Sequence, residues 1–168
     1  MRKLVSLIAP SLFALVAGCG GDSTELPSES FKALQTTACK QFFGCKSKFP
    51  GKVEDFEKAF GKTEAECVTK MQAEQSAAES KALDDAVEAG RVKFHEDQAE
   101  KCIDGIAAVK CDDTFWADGG GLEKAFDACE KLNIVEGTIA NGKDCTIDEE
   151  CVSQECDAEA TKKCVADQ

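Results

Sequence analysis

The sequence FKALQTTACKQFFGC, residues 31–45, contains both of the signals that the rest of the chain repeats. Its apolar residues recur at steps of three and four, the spacing that places side chains on one face of an α-helix. They are Phe31, Leu34, Ala38, Phe42 and Cys45. Two cysteines lie within the same stretch. We therefore expect an amphipathic, cysteine-bearing helix that starts near residue 29, with Ser28 as its N-cap, and ends at Gly44.

Four further segments repeat the helical spacing. They are 53–60, 63–87, 96–109 and 122–132. The second opens with Thr63 and Glu66 as a capping box, and its middle, 72–80, is so poor in large apolar residues that it can divide into two helices. Between the second and third lies a short link, 91–94. The pattern predicts a mainly α fold, a disulfide-stabilised helical bundle over residues 28–133.

The character of the chain changes after residue 133. Residues 134–140 can be extended, and Asn141-Gly142 is a strong signal for a two-residue hairpin turn. The residues that follow are mostly polar or small, with four cysteines among them. Such a segment has too few large apolar side chains for a core, so disulfides must stabilise it. We predict a small cysteine-rich β-hairpin or finger over residues 137–168.

The first 18 residues have the pattern of an export signal. Arg2 and Lys3 give a positive start, and an apolar run over 4–17 ends in small residues. Val16-Ala17-Gly18-Cys19 resembles the lipobox of bacterial lipoproteins. The resemblance implies that residues 1–18 are a lipoprotein signal peptide and that the Cys19 thiol receives the covalent lipid.

The lipobox resemblance also implies a location. Residues 19–27 become a short lipid-anchored tether, and two or more acyl chains hold a protein stably on a bilayer. Gly20 stands where an Asp would retain a lipoprotein at the inner membrane of a Gram-negative bacterium. We therefore expect a cell-envelope protein, lipid-anchored at the outer membrane. Its membrane contact is the lipid anchor, and no other cofactor is expected.

The charge of the chain excludes some partners. The leader holds two of the 20 Lys and Arg residues and none of the 32 Asp and Glu residues, so the mature charge is 18 − 32 = −14. A surface of that charge repels phosphate backbones and anionic headgroups. Nucleic acid is therefore not an expected partner.

Ten cysteines remain once Cys19 is assigned to the lipid. They are Cys39, Cys45, Cys67, Cys102, Cys111, Cys129, Cys145, Cys151, Cys156 and Cys164. An even number in an oxidising compartment indicates five disulfides. Zinc and iron–sulfur sites usually use close pairs such as C-x-x-C, which this chain lacks, and His95 is the only imidazole. We therefore expect no metal site.

Two classes of function fit these observations. The first is a binding or structural module of the envelope, with an unidentified protein or glycan ligand and no catalytic residues. The alternative is an envelope hydrolase that uses the carboxylates of the loop from Asp112 to Asp118, around Trp116. Asp144, Thr146 and Asp148 begin like a calcium loop but lack its turn glycine, so we interpret them as a solvated loop. We favour the non-enzymatic class.

The tail also resembles a known type of module. The spacing Cys145-x5-Cys151-x4-Cys156-x7-Cys164, led by Asn141-Gly142, resembles one finger of the colipase and Dickkopf cysteine-rich modules and the tails of cysteine-rich lipoproteins from myxobacteria and their relatives. Colipase and Dickkopf fingers are binding modules, which favours interaction over catalysis. The resemblance implies the interlaced pairing Cys145–Cys156 and Cys151–Cys164.

The pairing of the six body cysteines is less constrained. Cys45 ends the first helix and Cys67 lies in the first turn of the long one, so the two can meet within the 4.4–6.8 Å that a disulfide requires between Cα atoms. Cys102 and Cys111 would lie about 13 Å apart on a helix and should not pair directly. For the four that remain we favour Cys39–Cys102 and Cys111–Cys129, although the sequence leaves other partitions open.

Overall fold

The computed structural model describes residues 26–74 and 76–166, so the leader, Cys19 and most of the tether lie outside the described residues. Within them the chain is mainly helical, as expected, with a small two-stranded sheet and five disulfides. The helices are α1 (Pro27–Gly44), α2 (Val53–Phe60), α3 (Glu64–Glu74), α4 (Ala77–Glu88), α5 (Glu96–Ala107) and α6 (Gly121–Glu130). Short 3-10 turns cover Lys46–Lys48 and Asp148–Glu150.

Helix α1 is central and packs against α3, α4 and α5. It ends at Gly44 as predicted, but it begins at Pro27, earlier than the sequence indicated, with Leu26 at the N-cap position. Proline suits the first turn of a helix because its missing N–H would have no helical partner there. Ser28 is therefore inside the helix, and its backbone N–H donates to Asp84 Oδ1 of α4 at 3.1 Å.

The long helical segment divides inside the predicted window. Helix α3 ends at Glu74, and Ser76 caps α4, with its hydroxyl accepting from the N–H of Glu79 while the Glu79 carboxylate accepts from the N–H of Ser76. Before α3, Thr63 accepts from the N–H of Glu66 as expected. The Glu66 carboxylate reaches one residue further back than the capping box requires, to the N–H of Lys62.

The residues expected to form a short link include a strand. Strand β1 (Val92–Phe94) pairs antiparallel with β2 (Val135–Gly137), with Val92 opposite Gly137 and Phe94 opposite Val135. Three residues are too few for an alternating pattern to be recognised in the sequence. The pairing brings the start of the cysteine-rich tail against the helical body.

Aromatic rings fill the main core at the end of α1. Phe56 of α2 and Phe115 are fully buried, and Phe42, Phe60 and Trp116 pack around them. The indole N–H of Trp116 donates to the carbonyl of Cys45 at 3.0 Å, which satisfies the polar atom of this side chain.

Three disulfides connect the helices of the body, and none of them is a predicted pair. The structure joins Cys39 to Cys67, Cys45 to Cys111, and Cys102 to Cys129. The predictions Cys45–Cys67, Cys39–Cys102 and Cys111–Cys129 are therefore wrong. Cys102 and Cys111 do not pair with each other, as their spacing indicated.

The aromatic core explains the first error. Phe56 and Phe60 of α2 pack against Phe43 and Phe42 at the end of α1. These rings belong to the same core cluster as Cys45, and α3 packs on α1 so that Cys67 reaches Cys39 instead. The other pairs follow, because α5 packs on α6 and the chain after α5 returns to the end of α1.

In the finger, the structure pairs Cys145 with Cys156 and Cys151 with Cys164, the interlaced order that the resemblance implied. The Asn141-Gly142 turn forms, but only Gly142 has a positive φ, at 81°. A positive φ at the second central position alone is characteristic of a type II turn, which splays the flanking strands, unlike the hairpin types I′ and II′. Accordingly, isolated backbone β-bridges pair Ile139 with Cys151 and Asp144 with Lys163. The chain reversal of the finger lies between Cys156 and Cys164, which form a third β-bridge.

Among the described residues, no helix combines the length and the apolar character needed to cross a bilayer.

Candidate functional site

A buried ion pair joins the finger to the body. Glu150 of the finger is only 2% exposed, and its carboxylate accepts from Arg91 Nη2 at 2.8 Å. The backbone N–H and the hydroxyl of Thr146 donate to the same carboxylate, at 2.7 and 3.0 Å. Buried glutamates are rare unless they are paired. This one holds the finger against Arg91, three residues after the end of α4.

Backbone contacts reinforce that junction. The N–H of Thr138 donates to the carbonyl of Arg91 at 3.1 Å, and the N–H of Ile139 to that of Glu150 at 2.9 Å. A Cβ built on Gly137 would lie 2.2 Å from the carbonyl oxygen of Cys151, so only glycine permits this approach. The Thr138–Arg91 bond joins the finger to the body, whereas the other two contacts hold the finger itself together, and none of the five disulfides crosses between the two parts.

A groove of about 640 Å³ runs along this junction, within the size range of ligand sites, roughly 300–1,000 Å³. The junction groove, as we call it, is lined by α1, α4, β2 and two parts of the finger, 146–149 and 156–159. Its apolar side chains belong to a small second core that contains Leu83, Ala86 and Val92. Those that line the groove are Phe31, Leu83, Val135 and Ile147.

The polar lining of the junction groove is acidic. Five carboxylates line it: Glu79, Asp148, Glu149, Asp157 and Glu159. None of the described residues that line the groove is a lysine or an arginine. The arrangement is an apolar surface with negative charge on both sides, one from α4 and one from the finger. It can bind a ligand that is both apolar and cationic.

Neutral donors hold three of these carboxylates in place. Glu79 accepts from the N–H of Ser76 at 3.3 Å, and Asp148 accepts from the N–H of Cys156 at 2.7 Å. The hydroxyl of Thr161 and the N–H of Ala160 lower the pKa of Asp157 below its usual range. These bonds fix the positions of the three carboxylates without cancelling their charge.

The carboxylates of the loop from Asp112 to Asp118 are used for local structure. Asp112 accepts from both the N–H and the hydroxyl of Thr114, at 2.9 and 2.7 Å, and these bonds lower its pKa. Asp113 forms an ion pair with Lys48 at 2.6 Å. A lowered pKa favours the ionised form, which is the wrong direction for a general acid. Trp116 points its N–H to Cys45, as described above.

His95, the only imidazole, belongs to a surface cluster across the small sheet. Its Nε2 lies 3.3 Å from Glu136 Oε2, and Lys93 Nζ lies 3.0 Å from Glu136 Oε1. Lys93 and His95 together lower the pKa of Glu136. His95 is half-buried at the start of α5. The cluster supports strand pairing, with a cation and an anion opposite each other.

The ten cysteines among the described residues all form disulfides. In the finger, the sulfur atoms of Cys145, Cys151 and Cys164 lie within 4.8 Å of one another because its two bridges are adjacent. Each of these sulfurs is already in an S–S bond, whereas metal binding requires thiolates. Cys19 lies outside the described residues, so its lipidation stays a prediction.

Comparison of the chain with family models, with curated proteins and with solved structures finds no match.

The junction groove was missed by sequence reasoning. The spacing of Asp144, Thr146 and Asp148 indicates only an imperfect calcium loop in a solvated segment. The groove depends on how the finger docks, which depends in turn on Arg91 and Glu150, 59 residues apart in the chain. The one available signal was the acidic run 148–150 next to Ile147, which is unusual for a loop without a partner.

Proposed function

We propose that this protein is a lipid-anchored, disulfide-rich module of the cell envelope that binds a partner and catalyses no reaction. Residues 1–18 would serve as the lipoprotein signal, Cys19 would take the lipid, and residues 19–27 would form the tether at the outer membrane. The helical body and the finger would together form the binding unit. The partner is a protein or a glycan of the same compartment.

The observation that carries the proposal is the junction groove. It lies between two parts of the chain that are each cross-linked internally and that are joined by the Arg91–Glu150 ion pair and the β1–β2 pairing, which together restrict the movement of its walls. Such preorganisation lowers the entropic cost of binding. The contacts of the Asp112–Asp118 loop favour binding over catalysis, because two of its carboxylates, Asp112 and Asp113, already have structural partners.

Affinity capture from the native envelope tests the binding role. The full lipidated protein, solubilised in mild detergent, should retain a partner at a fixed stoichiometry. Protein treated with reductant and alkylated under denaturing conditions is the matched control, and it should lose the partner because the groove walls depend on the disulfides. Recovery of the same partners by both samples, or of none by the native one, would contradict the binding role.

The anchor makes a separate prediction. Cys19→Ser should abolish incorporation of labelled palmitate and leave an unprocessed precursor, because the thiol is the acceptor of the lipid. Membrane fractionation and mass measurement of the product check this. A matched control is Ser23→Cys with Cys19→Ser, which restores a thiol nearby without restoring the motif. Continued lipid labelling of Cys19→Ser would show that the anchor lies elsewhere.

A further inference from the structure

We infer that the junction groove binds a basic segment of a partner protein, one in which lysine or arginine residues alternate with large apolar residues. The inference rests on the proposed binding function and specifies the ligand. It comes from two properties of the same groove. The first is the uncompensated charge of its five carboxylates, which we call the rim. The second is the apolar surface of Phe31, Val135 and Ile147, which we call the floor.

The charge of the rim selects a cation. Five carboxylates line the groove, and among the described lining residues no basic side chain balances them. The nearby ion pair of Arg91 involves Glu150, which is not part of the lining, so it does not reduce the charge of the rim. Like charges held close together repel one another, and a ligand that brings positive charge relieves this repulsion.

The floor selects apolar side chains between the cations. Phe31, Val135 and Ile147 are only partly buried where they pack on the second core, so each leaves apolar surface at the groove. Covering that surface removes it from water. A purely cationic ligand would leave it exposed, and a purely apolar ligand would leave the rim charge unbalanced.

The same charge argues against other occupants. A second copy of this chain has a formal net charge of −12 and would add negative charge to the groove. Anionic headgroups and phosphate backbones are repelled for the same reason. An uncharged glycan can donate hydroxyl hydrogen bonds to the five carboxylates but brings no positive charge to balance them. A basic peptide segment is the ligand that uses both properties.

The probe for the test is the peptide acetyl-KFKLKFK-amide, titrated against the full-length protein by calorimetry at low and physiological salt. Two companion peptides separate the contributions: acetyl-QFQLQFQ-amide keeps the apolar residues without charge, and acetyl-KQKQKQK-amide keeps the four charges without the apolar residues. We expect one-to-one binding of the first peptide that weakens with salt. Each companion should bind about tenfold more weakly, since it lacks one of the two contributions.

Matched variants locate the site. Glu149→Lys with Glu159→Lys reverses two exposed rim charges that form no side-chain hydrogen bond in the described structure, and it should weaken the probe about tenfold. Glu100→Lys with Asp127→Lys makes the same change in net charge on α5 and α6, away from the groove, and should leave binding nearly unchanged. Ile147→Ser should weaken binding of the probe and leave binding of acetyl-KQKQKQK-amide unaffected.

Each outcome bears on the inference. If both charge-reversal variants lose the same affinity for the probe, binding depends only on net charge and the inference is overturned. It is also overturned if either companion peptide binds as tightly as the probe, because one property then suffices. The proposed function is tested separately by capture. If the Glu149→Lys/Glu159→Lys variant captures the native partner as well as the wild-type protein does, the basic-segment inference is overturned while the binding role stands.

Discussion

Phe56→Ala should lower the free energy of unfolding by about 3–5 kcal/mol, the usual cost of removing a buried aromatic ring. Phe56 has no exposed surface, and its ring centroid lies 5.0–5.4 Å from those of Phe43, Phe49 and Phe60. The rings around it come from α1, α2 and the segment between them, so the cavity cannot close without moving both helices. The ammonium of Lys46 also lies 5.1 Å from this ring.

Chemical unfolding monitored by the fluorescence of the single tryptophan measures this loss. Trp116 belongs to the same cluster, with its ring centroid 6.1 Å from that of Phe56, so its signal reports on this core. Val53→Ala is the matched control, because Val53 starts the same helix and is 60% exposed. The control should change stability by less than about 1 kcal/mol. A similar small effect of Phe56→Ala would contradict the packing described for this core.

The double variant Cys45→Ala/Cys111→Ala should lose about 4 kcal/mol of stability, because the bridge closes a long loop in the unfolded chain. The two cysteines are 66 residues apart, the largest separation among the five bridges. Removing Cys145–Cys156, whose partners are 11 residues apart, should cost about 3 kcal/mol in the same entropy treatment. Chemical unfolding of both variants under non-reducing conditions gives the comparison.

A single substitution distinguishes the observed pairing from the one that the sequence favoured. Cys45→Ala leaves its partner as the only free thiol of the body. In this structure that thiol is Cys111, whereas the sequence-based pairing would leave Cys67. Alkylation of the non-reduced variant followed by peptide mapping identifies the labelled residue. Labelling at Cys67 would contradict the body connectivity described here.

The helices were predictable because their information is local. The apolar spacing of α1, the glycine that ends it and the weak middle of the long segment all depend on residues within one or two turns. Strand β1 was missed because three residues carry too little pattern. Its partner β2 lies more than 40 residues further along, so neither strand could identify the other.

The disulfide pairing and the groove could not be predicted for a related reason. Six body cysteines on neighbouring helices allow several partitions, and the choice depends on which side chains fill the end of α1. Phe56 and Phe60 pack there, and the spacing of apolar residues along the chain does not report how their volume is accommodated. The two disulfides of the finger could be predicted only because the spacing of their cysteines resembles that of a known module. Glu150 and Ile147 acquire their roles only when the finger docks.

The order of the body bridges limits how far the protein can be stretched. Residues 39 and 129 are 90 residues apart, which corresponds to roughly 300 Å of extended chain. A pull on the two ends, however, follows the shortest covalent path. That path runs from Cys39 to Cys45, crosses to Cys111, returns to Cys102 and crosses to Cys129, using 6 and 9 residues of backbone. Residues 39 and 129 of the oxidised protein can therefore be pulled no further apart than roughly 60 Å, which is about 50 Å of backbone plus the two bridges, and the rest of the chain between them carries no tension.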